Sequence, residues 1–91
     1  MQPQLLLFHS VRSGRSRRVE GYLAQVLQRR HNHETFRYYR VAQEERPDLL
    51  DKFRIELTPT LVVVEDKRIC ARLEAPRSSR QISSFLAPWL Q

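Results

Sequence analysis

Apolar residues along this chain follow three patterns, and each predicts a different kind of element. Two short runs are continuously apolar, "LLLF" at residues 5–8 and "LVVV" at residues 61–64. Such runs suit strands covered on both faces, so strands are expected over residues 4–8 and 56–66, the second led in by Thr58 and Pro59. Two other stretches repeat at helical spacing. Val19, Tyr22, Leu23, Val26 and Leu27 form one stripe, and Ile82, Phe85, Leu86 and Trp89 form another. Ser13 or Ser16 is placed to cap the first helix, which is expected to end near residues 30–32, where Arg29, Arg30 and His31 suit the negative end of its dipole. Ser78 followed by Gln81 reads as a capping box for the last helix, and Pro88 bends or ends it. The third pattern is alternation. Ile69, Ala71 and Leu73 alternate with Arg68, Cys70 and Arg72, as in a half-covered strand.

The remaining segments complete the order. "TFRYYRV" (35–41) is β-branched and aromatic and predicts a strand, in which Tyr38 and Tyr39 are expected to be largely packed. Residues 44–53 carry Pro47 at a natural first helical position and Leu49, Leu50 and Phe53 on one face. Asp66 and Lys67 form a tight turn without glycine. The expected architecture is a single α/β domain over residues 1–91, ordered β-α-β-α-β-β-α. Its first two strands are parallel through a right-handed crossover and its last two form a hairpin, giving a mixed four-stranded sheet flanked by helices.

Composition narrows the chemistry. At 91 residues and 41% hydrophobic, the chain can build one core and not two. With no apolar run beyond four residues, a membrane span of about 20 is not expected. Met1, Gln2, Pro3 and Gln4 lack a signal-peptide start, so a cytoplasmic location is expected. Cys70 is the only cysteine, which excludes an internal disulfide and a cysteine metal cluster. His31 and His33 in "HNH" would need metal partners that no other segment supplies, so neither a metal nor a cofactor is expected. Lys+Arg number 16 against 10 Asp+Glu, and only Lys52 and Lys67 are lysine, leaving fourteen arginines. Arg12, Arg15, Arg17 and Arg18 crowd the start of the first helix with no acid beside them in sequence. Cations there oppose the helix dipole, by about 0.3–1 kcal/mol each when exposed. Free amides and guanidinium forks together make an anion site.

The strand-turn-helix over residues 5–27, followed by Ile55-x-x-Thr58-Pro59-Thr60 and the closing helix over residues 82–90, resembles the thioredoxin superfamily. The resemblance covers nearly the whole chain, without the family's extra N-terminal strand and helix, and it implies a minimal thioredoxin-like fold. It places the family's cis-proline at Pro59 and its Cys-x-x-Cys on Ser13-Gly14-Arg15-Ser16. The family's buried acid falls on Leu7. Disulfide exchange needs an attacking thiolate and a resolving thiol, and a serine oxygen forms no exchangeable bridge. The expectation is therefore a non-catalytic module that keeps the family's groove. Ser13, Gly14, Arg15 and Ser16 shape it, Thr58 beside Pro59 offers its backbone to an extended protein segment, and His9 and Val11 edge it. Arg12, Arg17 and Arg18 attract an anionic group.

Three other readings stand beside this one. The same lead-in to the third strand resembles interaction domains of the circadian-clock KaiB type. Serine at both positions is also what replacement of a natural cysteine pair leaves, which would make the natural chain an oxidoreductase, although Leu7 favours a natural loss. Nucleic-acid binding through the arginine face ranks last, because a packed Tyr38 and Tyr39 leave no stacking platform. Cys70 between Arg68 and Arg72 is a candidate reactive thiol if exposed, and a buried cysteine is inert. His9 with Ser13 or Ser16 lacks a third group to orient the imidazole.

Overall fold

A computed structural model describes residues 2–29 and 34–90. Its elements are β1 (Gln4–His9), α1 (Gly14–Leu27), β2 (Arg37–Ala42), α2 (Pro47–Lys52), β3 (Thr60–Glu65), β4 (Arg68–Glu74) and α3 (Ser79–Leu86). They lie in the expected order. The sheet runs β2-β1-β3-β4, with β1 parallel to β2 and antiparallel to β3, and β4 antiparallel to β3.

Alternation in β1 and β3 sorts the core into two layers. Leu5, Leu7, Leu61 and Val63 meet Val19, Leu23 and Val26 of α1 and Ile82 and Leu86 of α3. Leu6, Phe8, Val62 and Val64 face the other way, where Leu49, Leu50 and Phe53 of α2 cover them. Both central strands are buried on both faces, which is why their sequences are continuously apolar.

Four local expectations need correction. First, α1 stops at Leu27, short of residues 30–32, and the amide of Gln28 closes it on the Ala24 carbonyl at 2.9 Å. Leu27 is the last apolar residue of the stripe, and a further turn would bury nothing. Arg30, His31 and His33 lie outside the described residues. Second, Gly14, expected with Ser13, Arg15 and Ser16 to shape the groove, is already the first residue of α1, and its backbone does not enter the left-handed region. Third, Tyr38 and Tyr39 are 38% and 44% exposed. β2 is an edge strand, so it has β1 along one side and no strand along the other. Fourth, the alternation in β4 breaks. Val63 pairs with Ala71 but Val64 with Ile69, leaving Cys70 as the extra residue of a bulge. The register thus puts Ile69 on the α2 side with Val64, and Arg68 on the opposite side with Glu65, so Arg68 and Arg72 do not flank Cys70 on one face. Cys70 is exposed, not buried.

The termini of the elements follow local chemistry. Ser78 Oγ accepts from the Gln81 amide at 3.1 Å, and Gln81 Oε1 accepts from the Arg77 amide at 2.7 Å. Asp66 and Lys67 make the hairpin turn with φ of 49° and 66°, both left-handed. No helix among the described residues is long and apolar enough to cross a membrane.

Candidate functional site

The register brings four segments to one end of the sheet. β1 and β2 both finish there, at His9 and Ala42, and β3 begins there. Phe8 pairs with Thr60, so one further step sets His9 opposite Pro59. Thr60 pairs with Glu74, and the Ala75 amide donates to the Pro59 carbonyl at 2.8 Å. The β1–α1 turn, residues 43–44, the Thr58–Pro59 loop and the β4–α3 connection therefore form one surface. Ligand sites in open α/β sheets lie beyond the carboxyl ends of parallel strands, and this is that end.

Three serines build the β1–α1 turn. Ser13 is the N-cap of α1, and its Oγ accepts from the Ser16 amide at 3.1 Å. Ser16 is 1% exposed, and its Oγ accepts from the Ser10 amide at 3.1 Å. Ser10 Oγ accepts from the Arg12 amide at 3.3 Å and donates to Glu44 Oε2. Glu44 Oε1 also accepts from the Val11 amide, at 3.2 Å. The bond from the Ser10 hydroxyl, chiefly, holds the Glu44 carboxyl below the usual carboxylate range, with the Val11 amide and Arg12 contributing. The first-turn arginines thus do have an acid beside the turn, brought from 34 residues away. Glu44 bonds Ser10 and Val11, not His9, so it does not join His9 to a serine in a relay.

Thr58 and Pro59 are joined by a cis peptide bond. Thr58 Oγ1 donates to Gln43 Oε1 at 2.8 Å, while its own N–H and C=O make no hydrogen bond among the described residues. Thr60 Oγ1 donates to the Leu57 carbonyl at 2.8 Å and closes the loop. Arg12, Arg15, Arg17 and Arg18 are all exposed. Arg15 and Arg18 turn toward the β4–α3 connection, where with Tyr22, Glu74, Pro76 and Arg77 they line a cleft of about 670 Å³. Arg12 and Arg17 lie outside it. Cys70, on the far edge strand, is not part of this surface. Among the described residues, no three His, Cys, Asp or Glu side chains come close enough to hold a metal ion.

No family model matches this sequence, and no curated protein matches it. Solved structures do. A thioredoxin-like protein from Edwardsiella tarda superposes with a TM-score of 0.84 at 20% identity, over 93% of this chain and 82% of the other. Mitochondrial thioredoxin 3 from Saccharomyces cerevisiae gives 0.81 at 15% identity, over 96% and 78%. Desulfothioredoxin from Desulfovibrio vulgaris Hildenborough gives 0.82 at 20%, over 97% and 82%.

The chain has the thioredoxin fold. Within that fold, the two positions where the resemblance implies the dithiol are hydroxyl groups committed to the turn's own hydrogen bonds. The thioredoxin fold also explains why the turn and the cis-proline meet, since β1 and β3 are adjacent. Sequence reading missed Glu44, Ala75 and Arg77. Glu44 stands in the segment read from the sequence only as the lead-in to a helix at Pro47, and only the β1–β2 pairing carries it to Ser10. Ala75 has a left-handed φ of 45° although it is not glycine and precedes Pro76. Strain of this kind costs on the order of 1–3 kcal/mol and collects at functional surfaces.

Proposed function

We propose that this chain is a redox-inactive binding module on the thioredoxin fold. It holds an extended protein segment between the turn of residues 13–18 and the Thr58–Pro59 loop. One observation carries the reading. Ser13 and Ser16 spend their side-chain oxygens on the turn, while the backbone of Thr58 has no hydrogen-bond partner among the described residues beside it. An extended segment adds to such a backbone by main-chain pairing. Electron exchange has no counterpart here, because neither serine oxygen can form or release a sulfur bridge. Insulin reduction by dithiothreitol tests the first half, with background turnover expected from the wild type and from Cys70→Ser alike. Turnover above a protein-free control in both would overturn it. The second half is read by amide NMR, where a bound peptide shifts Thr58 and Thr60 before residues of β4.

A second reading gains from the exposed Tyr39, which shares a face of the edge strand with Arg37. Aromatic rings among arginines suit single-stranded nucleic acid. Binding of a short oligonucleotide at low salt that weakens with Tyr39→Ala would support it.

A further inference from the structure

The cleft between α1 and the β4–α3 connection takes Arg15 and Arg18 from the proposed groove and adds Tyr22, Glu74, Pro76 and Arg77, which the sequence reading did not name. Its volume of about 670 Å³ is that of a site for a few side chains, within the roughly 300–1,000 Å³ common for ligand pockets. The lining has a definite chemistry. Arg15 and Arg18 come from successive turns of α1, and Arg77 faces them from the start of α3, with Glu74 as the single acid. Val19 and Pro76, both buried, form an apolar floor with the half-buried ring of Tyr22.

No ion pair among the described residues engages Arg15, Arg18 or Arg77. The first turn of α1 contains no acidic residue that would neutralise its dipole or its arginines. Three guanidinium groups therefore converge on a concave space with one carboxylate among them. The cleft is continuous with the peptide loop, because the Ala75 amide that forms its wall is bonded to the Pro59 carbonyl at 2.8 Å.

We propose that the cleft selects acidic protein segments. Carboxylate side chains of the bound segment meet Arg15, Arg18 and Arg77, and an intervening apolar side chain rests on Tyr22. This rests on the peptide-binding reading above and names its substrate class. Two features favour a peptide over a polyanion such as nucleic acid. Glu74 can accept a peptide N–H, a donor that a phosphate backbone does not carry. The apolar floor likewise matches alternating side chains and not a chain of phosphates.

The test uses three dye-labelled peptides of one length, alternating valine with glutamate, glutamine or lysine, and an oligonucleotide of similar length. Each is titrated by fluorescence anisotropy into the wild type and into Arg15→Gln/Arg18→Gln/Arg77→Gln, with circular dichroism to establish that the variant is folded. The expected result is a glutamate peptide bound about tenfold or more tighter than the glutamine peptide. That preference for glutamate over glutamine should collapse in the variant, and in the wild type it should shrink as salt rises. Equal binding of the glutamate and glutamine peptides overturns the acidic selectivity and leaves the peptide reading standing. Binding of no peptide overturns both. An oligonucleotide bound more tightly than the glutamate peptide, with the same loss in the variant, overturns the proposal in favour of nucleic acid. If the triple variant is unfolded, Arg18→Gln alone is read by the same ratio, and an unchanged ratio counts against the cleft.

Discussion

Ser16 shows how a side chain that suits catalysis in one setting becomes structural in another. Its hydroxyl is buried, and its oxygen satisfies the Ser10 amide where β1 leaves the sheet. Ser16→Ala strands that amide, so it should cost about 1–3 kcal/mol in urea denaturation without changing the fold. Glu44 acts on the same turn through charge. Its carboxyl is lowered in the folded protein, chiefly by the Ser10 hydroxyl, so the stability it adds is present above the usual carboxylate range and is lost as pH falls through the lowered folded value. Wild type should therefore lose more stability on acidification than Glu44→Gln, measured by denaturation midpoints across the acid range. Tyr38 runs the opposite way. Burial, then Glu20, pushes its hydroxyl up to about 12 even though 38% of the residue is exposed. It favours folding below the ordinary tyrosine range near 10, and that contribution disappears as pH rises through about 12. Absorbance titration should show one tyrosinate forming last, and Tyr38→Phe should remove it.

The elements were legible wherever one periodicity ran without interruption. The stripe from Val19 to Leu27 and the runs at residues 5–8 and 61–64 each named their element, because burial on one or both faces imposes that pattern. Edges were less legible. β4 reads as a clean alternation, yet a bulge at Cys70 turns Ile69 to the other face, and nothing in "RICARL" marks it. Covering is similarly a property of neighbours, so the aromatic β2 sequence could not announce its place at the edge. The β3–β4 turn was read correctly as tight, at a cost that the structure makes visible. Lys67 is held at φ 66°, where a side chain crowds its own backbone. Lys67→Gly should raise stability by about 0.5–1 kcal/mol, read as a shift of the thermal midpoint with unchanged circular dichroism.

At the scale of the molecule, the sheet is the organising part. Its two central strands are apolar throughout, and the helices divide into α1 and α3 on one side and α2 on the other. Leu23 lies fully inside the larger layer. Leu23→Ala should cost about 2–5 kcal/mol in chemical denaturation, through lost burial and the cavity it leaves. The sequence by itself determined the element order, the burial of the two central strands on both faces and the absence of a cysteine pair, because periodicity and residue type are local properties. It could not determine which residues meet at the end of the sheet. Glu44 reaches Ser10, Ala75 reaches Pro59, and Arg77 reaches the cleft of Arg15 and Arg18 only through strand register and the packing of α3 on α1. Those contacts join residues far apart in the chain, and charged or small residues carry no periodic signal that foretells a distant partner.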